Sequence, residues 1–217
     1  MFVDRGRSID MTPGRRSKPR KFWERLRMAS PYPKLTQLKV KQVRLESGKT
    51  LPVYYLASYW PVRYGELAQQ EDSVQLLRLK NGDAGAARHF ASKLSAALEG
   101  APKRHLIAMP SHGVGCASSS GGLRQVIRLV PGAVDLSDCL FRHTAVVKSS
   151  KAMPGQRPTA EAHRDSMRAD RPERLKDLDV LLLDDVVTQG ASMRGARWIL
   201  ATAGARSVTC LSLTRTE

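Results

Sequence analysis

The stretch that decides the fold is Val180-Leu181-Leu182-Leu183-Asp184-Asp185-Val186-Val187-Thr188-Gln189-Gly190-Ala191-Ser192. Four apolar residues in succession read as a buried central strand, because a strand covered on both faces shows no polar alternation. Two carboxylates follow at its C-terminal end, where ligands bind in open α/β sheets. A Thr-Gln-Gly-Ala-Ser turn then opens a helix predicted over 191–203, with Gly204 as its stop. Backbone N–H groups at such a turn, with the helix dipole behind them, make a phosphate cradle. Gly190 allows close backbone approach, and Thr188 and Ser192 offer hydroxyls. A cradle beside two acids suits a sugar phosphate, with the acids accepting hydrogen bonds from the sugar. A polar turn capped by Asp185 would account for one acid, but poorly for two adjacent acids in a basic chain.

Working outward, Ser207 to Leu213 predicts a further strand, and His105 to Met109 a short apolar one. The latter runs into the loop Pro110-Ser111-His112-Gly113-Val114-Gly115. Helical spacing covers Asp83 to Glu99, closed by Gly100, and Gly122 to Val130, stopped by Pro131-Gly132. A strand is expected near Cys139 to Arg142, resuming at Ala145 to Val147, and a helix with proline in its first turn at Pro158 to Met167. Leu38, Val40 and Leu45 alternate on one side of Ser47-Gly48-Lys49, and Leu51, Val53 and Tyr55 on the other, which reads as a β-hairpin at about 35–56. The expected fold class is α/β: a mostly parallel sheet with helices on both faces and the hairpin as an N-terminal addition.

The chain has 217 residues and a formal net charge of +16, which calls for an anionic partner. Residues 1–50 carry 14 Lys/Arg against 4 Asp/Glu, and residues 51–217 carry 22 against 16. Residues 1–34, with four prolines and the run Arg15-Arg16-Ser17-Lys18-Pro19-Arg20-Lys21, read as a basic, partly disordered arm. Residues 35–217 form the domain. Phe22 and Trp23 within the arm could stack on nucleic acid, dock on the protein itself or stay solvated. No 18-residue apolar run predicts a membrane helix and no signal-like segment is evident. The three cysteines, Cys116, Cys139 and Cys210, are too dispersed for a disulfide framework or a zinc ribbon. A cytoplasmic location without a membrane partner is expected.

The Val180–Ser192 segment resembles the phosphoribosyl-pyrophosphate (PRPP) signature of type I phosphoribosyltransferases: an apolar strand, two acids, two apolar residues and a Thr-Thr-Gly-x-Thr-like loop. Gln189 stands where that family usually has a small residue, and Ser192 replaces threonine. The competence-type (ComF-like) members look nearest, with Arg142-His143-Thr144 and Gln156 to Arg164 as a divergent form of their Arg-Thr-Gln segment. Their N-terminal zinc ribbon has no counterpart here. The resemblance implies a glycosyltransferase of nucleotide metabolism. It would use PRPP and Mg2+, carried through PRPP rather than by direct metal ligands, to phosphoribosylate an unidentified acceptor with release of pyrophosphate. Asp184 and Asp185 would serve the ribose hydroxyls and the developing charge. Thr188, Gln189, Gly190, Ala191 and Ser192 would hold the 5′-phosphate, and Pro110, Ser111, His112 and Gly113 the pyrophosphate. Arg142, Lys148, Lys151, Arg157 and Arg164 would belong to the crevice or to a loop closing over it. The resemblance also admits a homodimer. The rival reading is a non-catalytic PRPP- or nucleotide-sensing protein of the same fold that binds nucleic acid through residues 1–34.

Overall fold

The computed structural model describes residues 31–45, 48–61, 65–66, 69–114, 121–147 and 156–217. Six strands form one sheet: β1 (Lys39–Arg44), β2 (Thr50–Tyr59), β3 (Arg104–Ala108), β4 (Ala133–Asp135), β7 (Asp179–Val187) and β8 (Ser207–Thr216). Their spatial order is β1-β2-β8-β7-β3-β4. Only the β1–β2 pair is antiparallel; every other pair is parallel. The expected α/β class therefore holds. The hairpin is more than an appendage, since β2 pairs in parallel with β8 and only β1 extends the edge.

The apolar run in β7 follows from its central place. Leu181 and Leu183 point into one core, with helices α1 (Glu71–Lys80), α2 (Ala84–Ala97) and α3 (Gly121–Leu129). Val180 and Leu182 point into the other, under α5 (Ala191–Thr202). All four are fully buried, each contributing roughly 1.5–3 kcal/mol relative to exposure. Helix α2 begins where the Asp83 side chain accepts the Ala86 N–H at 2.7 Å. Its buried face, including Phe90, Ala91 and Leu94, has the spacing that the sequence shows.

Several expectations change in detail. The strand expected near Cys139–Arg142 is present, but the strand beside β3 is β4, just after Pro131-Gly132, where the sequence reading expected none. It stops early because Asp135 turns the chain by accepting the Ser137 N–H, while the Ser137 hydroxyl accepts the Ala108 N–H at 2.9 Å. Leu140–Arg142 (β5) instead pairs antiparallel with Met167–Ala169 (β6) in a separate two-stranded sheet, and residues 145–147 form no strand. Helix α4 is shorter than expected, Ala160–Asp165, because the Thr159 hydroxyl caps Ala162 N–H and Met167 already belongs to β6. Helix α1 carries no expectation from the sequence reading. At the other end, residues 1–30 of the expected arm lie outside the described residues. Residues 31–34 are described, and Tyr32 is buried with Leu35 against the α2 core.

Candidate functional site

The chain leaves β3 for α3 on one face of the sheet and leaves β7 for α5 on the other. Between these neighbouring parallel strands the strand order reverses, so their C-terminal loops diverge to opposite faces, the place where open α/β sheets bind ligands. The Met109 N–H still donates to the Leu183 carbonyl at 2.7 Å, and residues 110–113 then rise beside Asp184 and Asp185.

The two acids are not equivalent. Asp184 is 9% exposed. Its carboxylate accepts the Asp185 N–H at 2.9 Å and the Ser192 hydroxyl at 3.3 Å, which ties the strand end to the first turn of α5. Burial, and then repulsion from Asp185, push its carboxyl up to about 7. Asp185 is half-buried, accepts the Val186 N–H at 2.7 Å and pairs with Lys80 Nζ of α1 at 3.2 Å. The same ammonium lies 5.9 Å from the Tyr59 ring centre at the end of β2.

Gly190 caps α5 in the left-handed region, with φ 74° and ψ 13°. A Cβ there would stand 2.7 Å from Val43 Cγ2, so β1 packs directly on the turn and only glycine fits. Lys41 of β1 also donates to the Thr188 carbonyl. Gln189 is exposed, whereas Thr188, Ala191 and Ser192 are half-buried. The first-turn amides of this twelve-residue helix face away from its own carbonyls and can receive an anion.

Across the crevice, Pro110 is buried, Ser111 and Gly113 are half-buried and His112 is exposed. Gly113 N–H makes a long bond to the Ser111 hydroxyl at 3.4 Å, and the His112 carbonyl accepts the Val146 N–H at 3.0 Å. Arg142 does not present its charge to the crevice. It is 2% exposed and donates to the Ser111 carbonyl and the Ser166 hydroxyl. Arg164 packs 5.2 Å from the Trp198 ring centre and pairs with Asp165 at 2.8 Å, two turns along α5 from the cradle. Arg157 is exposed, and Lys148 and Lys151 lie outside the described residues. The structure thus brings together residues 110–113 and 184–192, with Arg142 beneath them, and sets Arg164 apart.

Three further residues meet the site: Lys41, Lys80 and Ser166. Lys41 was visible only as a polar position on an alternating strand, and Lys80 lies in a stretch to which the sequence reading assigned no element. Ser166 carried no signal, since its role depends on a buried partner 24 residues away.

No family model matches the chain, and no curated protein matches it. Among solved structures it is similar to two described as an analysis of an invariant aspartic acid in HPRTs, one a glutamic acid mutant and one an alanine mutant. Each is 12% identical with a TM-score of 0.36, covering 66% of this chain and 68% of the other. The fold assignment rests on the strand order and not on this likeness.

Proposed function

We propose that the protein is a phosphoribosyltransferase that takes PRPP with Mg2+ and transfers the 5-phosphoribosyl group to an acceptor. The observation that carries this reading is the placing of paired acids and a helix-opening turn opposite a second loop, across the point where the strand order reverses. A doubly phosphorylated sugar has anionic groups at both ends and hydroxyls between them. The first-turn amides of α5 and the hydroxyls of Thr188 and Ser192 would take the 5′-phosphate. Residues 110–113 would take the pyrophosphate, and the acids would face the ribose hydroxyls.

Asp185 is the better placed of the two acids for direct contact, because it is half-exposed and its Lys80 pair is weak enough to exchange. Asp184 would act from beneath. Mg2+ would be carried by the ligand's own oxygens, and the carboxylate and hydroxyl oxygens here form hard, oxygen-rich surroundings that suit it. When bound, Mg2+ would neutralise the leaving pyrophosphate. The acceptor forms its bond to C1 as the C1–oxygen bond to pyrophosphate breaks, and the electron pair leaves with pyrophosphate. The chain's own contribution is to hold both ends in line and to place negative charge beside a ribose that becomes positive.

The test is to incubate the protein with PRPP, Mg2+ and a panel of nucleobases and amines and to measure pyrophosphate release. Acceptor-dependent release supports the transferase. Saturable PRPP binding without release for any acceptor favours the sensing protein. Absence of PRPP binding removes the transferase and the PRPP-sensing reading, and leaves only the nucleotide-sensing form of the rival.

A further inference from the structure

Arg142 is among the largest fully buried side chains of the protein. A guanidinium removed from water has to be hydrogen-bonded and offset by opposite charge. Its Nε donates to the Ser111 carbonyl and its Nη1 to the Ser166 hydroxyl. That hydroxyl donates onward to the His163 carbonyl at 2.7 Å, and the Ser166 carbonyl accepts the N–H groups of His143 at 3.0 Å and Thr144 at 3.2 Å. Burial lowers the Arg142 pKa, and the nearby Asp184 works against that change. Three segments remote in sequence therefore meet on one side chain: the loop after β3, the chain after β5 and the end of α4.

The consequence for the loop is directional. All its described peptide bonds are trans, and in a trans peptide the carbonyl and the following N–H point in opposite directions. Arg142 holds the Ser111 carbonyl, and Val146 N–H holds the His112 carbonyl at 3.0 Å. Fixing those two carbonyls fixes the amides of His112 and Gly113. The Gly113 amide then rests on a 3.4 Å bond to the Ser111 hydroxyl, weak enough for an anion to replace.

We infer that Arg142 is a positioning residue: its buried guanidinium aims the amides of His112 and Gly113 at an anionic ligand. The anion side of this inference rests on the reading of residues 110–113 as the pyrophosphate end of the site. It differs from the expectation of a crevice cation, because the charge acts through backbone it holds and not by touching ligand.

The test compares wild type with R142M, R142K and S166A by hydrogen exchange, and by calorimetry with inorganic pyrophosphate and with PRPP. In R142M the amides of Gly113 and Val146 should exchange at least about tenfold faster while those of Leu182 and Leu183 keep their protection. Pyrophosphate affinity should fall by about tenfold or more. R142K should recover part of both effects, because an ammonium keeps one of the two contacts, and S166A should fall between. A folded R142M with wild-type exchange at Gly113 and Val146 would overturn the inference, as would protection lost evenly across β7 and β8. If R142M does not fold, S166A decides: local release supports the inference and unchanged exchange overturns it. Local release in a protein that binds neither PRPP nor pyrophosphate would leave the latch standing and remove the transferase reading.

Discussion

Replacing Asp184 by Asn should make the protein more stable while it damages the site. The native fold buries a carboxylate at the end of β7, beside a second acid, and its pKa rises from 3.8 to about 7. Above pH 7 the group is ionised in both folded and unfolded chains, and folding has to desolvate the charge. As pH falls from about 7 towards 3.8, the folded state takes up a proton that the unfolded state does not, so the unfavourable contribution fades. Each pH unit of displacement corresponds to about 1.4 kcal/mol, which sets a ceiling of about 4 kcal/mol on the effect. Asn can keep the bond from Asp185 N–H at its one oxygen and turn its amide N–H towards the Ser192 hydroxyl that the other carboxylate oxygen had accepted from, so a gain of about 2–4 kcal/mol is expected at pH 8. For a chain of this length that is a rise in Tm of roughly 5–15 °C. Thermal and urea unfolding of wild type and D184N from pH 4 to pH 9 measures it. The gap should be widest above pH 7 and close towards pH 4. An Asn variant no more stable than wild type at pH 8 would refute the claim that this acid is held at the expense of stability.

Gly190→Ala should cost about 1–3 kcal/mol, since it meets both a positive φ and a Cβ 2.7 Å from Val43, and V43A should relieve only the second part; chemical denaturation of the single and double variants reads this. His163 is 7% exposed and held down at about 4, by burial first and Arg142 second. Its depressed pKa means stability is lost as pH falls from 6.5 towards 4, by at most about 3 kcal/mol. Measured in a D184N background, where Asp184 cannot offset it, H163L should abolish that slope. Deleting residues 1–30 should leave the fold intact because the buried residues of the described chain begin at Tyr32, and circular dichroism and Tm will show whether it does. If the arm binds nucleic acid, the same deletion should flatten the salt dependence of retention by roughly 0.7–0.9 in log–log slope per lost contact. Full-length protein that fails to bind nucleic acid at low salt would end that idea.

The central strand and the helix after it were legible because one run, Val180–Leu183, is apolar on both faces and ends in a chemically odd pair of acids. Gly190 was legible for a related reason: a turn that opens a helix at positive φ asks for glycine. The hairpin showed through its alternation, but its junction with the main sheet did not. The β2–β8 pairing joins residues about 157 positions apart, and no local period carries that information. The short strand β4 was missed because three residues have too few positions to show a period, and its stop depends on a hydroxyl taking over the ladder from Ala108. Arg142 was picked out as a cation near the site, yet its burial could not be read locally. It arises where residues 111, 142, 166 and 184 converge in space.

The most direct measurement of the central claim is calorimetric titration of PRPP, with and without Mg2+, into wild type and into a D184N/D185N double variant whose folding is verified by circular dichroism. The account predicts saturable, Mg2+-assisted binding to wild type and affinity at least tenfold weaker in the double variant, about 1.4 kcal/mol or more. Unchanged affinity in the folded double variant, or no PRPP binding by wild type, would contradict it.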